Sequence, residues 1–409
     1  LLWGATGFTG QLVAEHLTRS YGVGKGLQWA LGGRNREKLE KVRAGLAAID
    51  PRANELPIVV GDSGDRTSLD PLVRDTRVVV STVGPYSIHG PELVAACVEA
   101  ATDYCDLTGE SPFVRAMIDR HHARAQETGA RIVHCCGYDS IPSDLGTLVV
   151  QESMKKRHGG PCGEVRCFAG ESKGGVSGGT VASMLHLVEL AMHDPAIRRV
   201  LANPYSLDPD RPERGPDGGD QLGVRFDPDL ARWTGPFVMA AINARVVRRT
   251  NALLGYAYGA NFRYRESMSF SKGARGLASA MALSAGTAGA YGLLALSPAR
   301  SLARRMLPSP GEGPSAAARE HGYFVTRLLG IGEAANGSRA KVLVTVNGKG
   351  DPGYGATSRM LSESAVCLAL DGDAIATSGG VLTPAACMGM RLVERLGRVG
   401  ITFVASDAN

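Results

Sequence analysis

The chain has 409 residues, enough at one to two hundred per domain for two or three domains with a sizeable core, which excludes a small module dependent on staples. Its 45 Lys plus Arg against 40 Asp plus Glu leave a formal charge of +5 with no long run of either sign, so no nucleic-acid footprint is present. Glycine is the outlier, 53 of the 409 residues, nearly twice the roughly 7% of average usage.

Eight cysteines are too few for a disulfide scaffold. Cys135 and Cys136 are adjacent, and Cys162 and Cys167 lie five apart with no nearby histidine set. The expectation is eight reduced thiols in a cytoplasmic protein and no metal site. The chain begins at Leu1, three residues before a glycine turn, so the natural N-terminus is expected to have been lost. No signal peptide is visible.

Short apolar segments recur at 1–3, 27–32, 56–60, 77–83, 103–107 and 131–135, separated by helix-period stretches. That alternation predicts parallel βαβ units and a doubly wound sheet over residues 1–150. Asn35 is placed to cap a helix with Leu39, Val42, Leu46 and Ile49 on one face, and Pro91 to open another. Residues 151–350 read as an inserted α+β domain on a mainly antiparallel sheet. It has a helix from Thr180 with Met184, Leu187, Val188 and Ala191 on one face, a loop at 203–221, alternation near 262–270 and 341–348, and a loop at 309–320. Residues 351–409 return to parallel-type pattern, with Thr383 and Pro384 opening a helix and a last strand at 401–405 expected to fold back onto the first domain.

The run GATGFTG has the spacing of dinucleotide pyrophosphate turns, directly after a strand and opening a helix. Gly4, Thr6, Gly7, Phe8, Thr9 and Gly10 are therefore assigned to cofactor. The second strand ends in Gly32, Gly33 and Arg34, with no carboxylate before Glu37. A guanidinium there suits a 2′-phosphate and predicts NADP over NAD. Asp62 is expected at the adenine side, and Val83, Gly84, Pro85 and Tyr86 at the nicotinamide ribose. Two formal motifs are dismissed: Tyr21 with Lys25 lies before the second strand, and Ser172 and Ser177 in G-x-S-x-G lack the strand–turn–helix context of a nucleophile elbow.

The combination of GATGFTG, STVGPYSIHG at 81–90, DYCDLTGE at 103–110 and CGYDSIPSDLG at 136–146 resembles the saccharopine dehydrogenase-like oxidoreductases. The likeness continues through KGGVSGGT at 173–180, GDPGYGATSRMLSESA at 350–365 and GGVLTPA at 379–385. Within the family it is similar to the mycobacterial trans-acting enoyl reductases. The resemblance implies NADPH-dependent reduction of a carbon–carbon double bond in a lipid-like acyl chain, carried by a polyketide synthase on the way to phthiocerol-type lipids. A homodimer is the expected assembly. The alternatives are a carbonyl or imine reductase and a non-catalytic NADP-binding lipid or membrane adaptor.

Enoyl reduction needs a proton donor at the α-carbon. Tyr86 and Tyr138 are the candidate donors, with His89 nearby as a helix-entry residue and Asp139 expected to cap the following helix. Residues 276–296 hold no charge, and fourteen of the 21 are Ala, Gly, Ser or Thr. Arg275 precedes the run and Arg300, Arg304 and Arg305 follow it, and the readings are an apolar flap, covering a lipid channel or in peripheral contact with the inner face of the plasma membrane, or a buried helical hairpin.

Overall fold

The structure is a computed structural model that describes residues 1–24, 26–174, 178–209, 215–294, 313–375 and 377–407. In the first domain β1 (Leu2–Trp3), β2 (Leu31–Gly33), β3 (Ile58–Val60), β4 (Val78–Ser81), β5 (Asp103–Asp106) and β6 (Arg131–Val133) alternate with helices. These are α1 (Phe8–Tyr21), α2 (Arg36–Leu46), α3 (Arg66–Arg74), the single turn α4 (Tyr86–His89), α5 (Pro91–Glu99) and α6 (Ser111–Thr128). The strands pair in parallel in the order β3-β2-β1-β4-β5-β6. Strand order therefore reverses between β1 and β4, the point where such sheets bind ligands.

The predicted local signals operate as chemistry. The Asn35 side chain accepts from Lys38 N–H at 2.9 Å, and Pro91 opens α5 with Leu93, Val94 and Cys97 buried. Trp3 fills the space that Gly32 and Gly61 leave bare: a Cβ at Gly32 would approach its ring to 2.8 Å, and one at Gly61 to 3.2 Å. All eight cysteines are free and buried.

The chain leaves this sheet through α7 (Ile141–His158) and enters the second domain. There β7 (Cys162–Lys173), α8 (Gly178–His193), α9 (Pro195–Ala202), β8 (Arg225–Asp227), β9 (Arg232–Gly235), α10 (Ala240–Leu253) and β10 (Arg263–Phe270) follow. Next come α11 (Ala274–Leu294), α12 (Ala316–Glu320), β11 (Tyr323–Glu333) and β12 (Arg339–Lys349). α13 (Thr357–Leu370), β13 (Gly380–Leu382), α14 (Pro384–Arg398) and β14 (Ile401–Asp407) complete the chain. The second sheet runs β14-β12-β11-β7-β10-β9-β8. It is mixed, because β10 lies parallel to β7 while its other pairs are antiparallel.

Further details differ from the sequence reading, among them the short helix α12 inside the loop expected at 309–320. Position 150 lies inside α7, which is one continuous helix whose later turns pack on β11 and β12. Contact is close there, since a Cβ at Gly330 would come within 2.3 Å of Val150. β13 adds a seventh parallel strand beside β6; only Val381 and Leu382 are apolar there, between Gly380 and the helix cap Thr383. β14 instead joins the second sheet, antiparallel to β12. Its buried Ile401 followed by exposed Thr402 and Val404 fits a strand wet on one face rather than one buried on both. The C-terminal return to the first sheet is thus made by α13, β13 and α14.

Candidate functional site

A cavity of about 880 Å³ opens at the switch point and extends into the second domain. Its first wall is the turn between β1 and α1, where Gly4, Thr6, Gly7, Phe8 and Thr9 line it. Gly4 has φ +88°, and a Cβ there would sit 2.6 Å from Val83 and 2.7 Å from Thr82. Gly10 works from behind: its Cβ would fall 2.2 Å from the Gly4 carbonyl oxygen, so bare backbone lets α1 pack on the turn. No side chain caps α1 and its first turn holds no acid. Its leading N–H groups are thus left for an anion, supported by the helix dipole.

At the end of β2, Gly33, Arg34, Asn35 and Lys38 line the same cavity. Because the Asn35 side chain turns back to cap α2, the two cations flank a wall with no carboxylate of its own. Among the described residues neither forms an ion pair. Lys38 was not singled out in the sequence; its place in the first turn of the helix after Arg34 was the available signal. Asp62 does not line the cavity. It is exposed, and its carboxylate accepts from Gly64 N–H at 2.9 Å, holding the turn after β3. Ser63 takes the wall position, fixed by the Trp3 indole N–H at 2.9 Å.

The middle of the cavity is formed by the ends of β4, β5 and β6. Thr82, Val83, Gly84 and Tyr86 line it, whereas Pro85 does not. The loop is held by Glu110, only 4% exposed. Its carboxylate accepts from Tyr86 N–H (2.9 Å), Ser87 N–H (3.0 Å), the Ser87 hydroxyl (2.6 Å) and the Ser183 hydroxyl of α8 (3.0 Å). One buried carboxylate therefore ties the nucleotide loop to the second domain. Below it, Asp106 accepts from Tyr104 hydroxyl at 3.1 Å and pairs with His134 Nδ1 at 2.8 Å, bracing the ends of β5 and β6.

The two tyrosines proposed as donors separate. Tyr86 reaches the cavity wall, but its hydroxyl donates to the Ser81 carbonyl at 3.1 Å, and burial pushes its pKa well up. Tyr138 lies away from the cavity: its ring packs edge-on against Phe324 of β11 with centroids 4.8 Å apart. The residue beside it points the other way. Asp139 lines the cavity, and Ser140, not Asp139, occupies the cap position of α7 without a side-chain cap bond. Burial raises the Asp139 carboxyl to about 6.

Beyond the strand ends the lining changes character. Leu187, Val188 and Met192 of α8 face Val238, Met239 and Ile242 at the start of α10. The apolar face read from 187–191 is thus only half-buried and walls a cavity. The two dismissed motifs have structural reasons. The Tyr21 hydroxyl donates to the buried Glu363 carboxylate at 2.7 Å, joining α1 to α13, and Ser172 sits within β7. Lys25, Ser177 and the basic residues at 300–305 lie outside the described residues.

Residues 1–133 match the family model described as the saccharopine dehydrogenase NADP binding domain. A trans-acting enoyl reductase of Mycobacterium bovis is 40% identical over 98% of this chain and 96% of its own length. A Mycobacterium tuberculosis relative, provisionally assigned the same activity, is 45% identical over the same shares. The chain belongs to the saccharopine dehydrogenase-like oxidoreductases. The fold agrees with that of apo saccharopine dehydrogenase (L-Glu forming) from Saccharomyces cerevisiae, with a TM-score of 0.52 over 100% of this chain and 99% of that one at 14% identity. The protein is an NADP-dependent oxidoreductase whose first domain binds the cofactor. The uncapped α1 N-terminus, the cradle that a Cβ at Gly4 would fill and the pair Arg34 and Lys38 suit the pyrophosphate and 2′-phosphate.

Proposed function

We propose that this family member reduces the carbon–carbon double bond of an enoyl group on a lipid-like acyl chain. The observation that carries the reading is one continuous cavity, polar at the glycine turn and apolar between α8 and α10. When bound, NADPH supplies the hydride. The chain's own residues bind its phosphates at the turn and at Arg34 and Lys38, and clear space at Gly84. Leu187, Val188, Met239 and Ile242 would hold the acyl chain and exclude water. The relatives named trans-acting enoyl reductases support the same reaction. A substrate delivered on a polyketide synthase carrier suits a cavity that opens to the surface at Met192, which is 41% exposed.

The part of helix α11 after Arg275 carries no charge and supports the flap reading of 276–296. Met281 and Leu293 are 57% and 60% exposed, so the segment through 294 is not a buried hairpin. Among the described residues no helix is long and apolar enough to cross a membrane. Flotation with anionic vesicles should be lost when 277–293 are deleted if the helix rests on a lipid surface.

The reaction is tested by NADPH oxidation with matched panels of long-chain enoyl thioesters, ketones and imines. Turnover confined to the enoyl series is expected. Turnover of ketones or imines alone would move the assignment to those substrates, and tight NADPH binding with no turnover would mark an adaptor.

A further inference from the structure

Enoyl reduction ends with a proton placed on the α-carbon, and most polar side chains in the middle of the cavity are already committed. The Glu110 carboxylate is an acceptor for four donors, and the Ser183 hydroxyl is one of them. The hydroxyls of Tyr86 and Thr82 donate to the carbonyls of Ser81 and Gly4 at 3.1 Å each. Asp139 differs. Among the described residues no hydrogen bond or ion pair holds its carboxyl, although it lines the cavity.

Its position is where the two halves meet. A Cβ placed on Gly109, after β5, would lie 3.9 Å from Asp139 Oδ2 and 3.7 Å from Met239 of the apolar wall. The carboxyl therefore stands beside bare backbone, between the strand ends that carry the nucleotide site and the side chains that suit an acyl chain. Resting on the enoyl reading above, we propose that Asp139 is the acid that delivers the proton to the substrate α-carbon.

The balance is closed by groups already named. The β-carbon gains the hydride from NADPH, and the π pair moves toward the thioester carbonyl as an enolate. The Asp139 O–H bond breaks, its proton forms the new C–H bond at the α-carbon, and the carboxylate is reprotonated by water from the cavity mouth. Burial favours the neutral acid and raises the group to about 6. The other ionisable groups near it are engaged or distant. Glu110 is held as above, and Cys135 and Tyr138 of the same loop are themselves pushed up by burial. On α10, Arg245 and Arg248 are paired with Asp220 and Asp217, and Arg249 bonds the carbonyls of Leu207 and Val381. Glu266 of β10 is bonded by Ser143, Asn243 and Tyr264, and Asp144 of α7 by Thr250 and Ala385. Arg198 of α9 lies at the far end, bonded to the carbonyls of Ala191 and Met192, and Arg34 and Lys38 lie at the nucleotide end.

The test compares wild type with Asp139→Asn on a long-chain enoyl thioester, with NADPH affinity read separately by fluorescence. The variant should lose about 100- to 10,000-fold in kcat while its NADPH Kd stays unchanged. Wild-type kcat/KM should fall as pH rises through the range near 6, because the acid form is depleted, and the variant should lack this limb. The folded-state pKa is raised, so the charged carboxylate weakens the fold above that range and the variant should melt no lower than wild type at pH 8. A variant retaining more than a tenth of wild-type kcat, or a wild-type profile flat from pH 5 to 8, overturns the assignment of Asp139 alone. A wild type silent on every enoyl thioester overturns the enoyl reading and this assignment with it.

Discussion

The two halves of the cavity are built from different materials. The nucleotide half is mostly backbone, exposed by glycines at the ends of strands that are two to four residues long. The apolar half, which the proposal assigns to the acyl chain, is mostly side chain, supplied by helices of the inserted domain. Strand ends anchored in a parallel sheet hold polar atoms to fixed positions, whereas a helical wall offers shape and apolar area with few directional demands. The division predicts that most substitutions disturb one ligand and spare the other. Glu110 is the exception, because it bonds to both sides.

The largest effect should come from Gly10→Val. Its Cβ would overlap the Gly4 carbonyl oxygen at 2.2 Å, forcing α1 away from the turn. NADPH affinity should fall more than about 100-fold and stability by roughly 3 kcal/mol, measured by fluorescence titration and thermal unfolding. Glu110→Gln should break the separation itself. Replacing a carboxylate on which four donors converge should cost about 2–3 kcal/mol, and both NADPH Kd and acyl KM should rise. A change in one constant without the other would show that Glu110 does not join the halves.

Arg34→Asp acts on the nucleotide side alone. The preference for NADPH over NADH should drop about 100-fold through loss of a charge-assisted contact to the 2′-phosphate, with acyl KM unchanged. An unaltered preference would remove Arg34 from the site. Met239→Ala acts on the acyl side and should be milder. Partial loss of apolar contact should raise KM for a long-chain thioester about tenfold, with NADPH Kd unmoved.

The nucleotide half was readable because its chemistry is local in sequence. Gly4, Gly7 and Gly10 fall within seven residues, and Arg34 follows its strand directly. Asn35, Pro91 and Thr383 were readable for the same reason, since a cap is settled by one side chain and the next turn. Asp62 and Tyr138 were misplaced because the strand a residue follows does not fix the side to which its side chain turns. Adjacent residues of one loop point oppositely here, Tyr138 to β11 and Asp139 to the cavity. The helical period at Leu187 and Val188 showed an apolar face but could not show that a cavity, rather than core, lies against it. β13 escaped because its apolar signal is only Val381 and Leu382 directly before the cap Thr383, and β14 because alternation does not name the sheet it joins.

On the proposed reading, one cavity joins a fixed NADPH site to an apolar acyl site. The most direct measurement is kcat/KM for NADPH-dependent reduction of a series of enoyl thioesters differing only in chain length. A rise of about fourfold per added methylene is expected, from roughly 0.8 kcal/mol of burial each, until the wall between α8 and α10 is covered, with NADPH Kd constant throughout. Turnover that does not depend on chain length would contradict it.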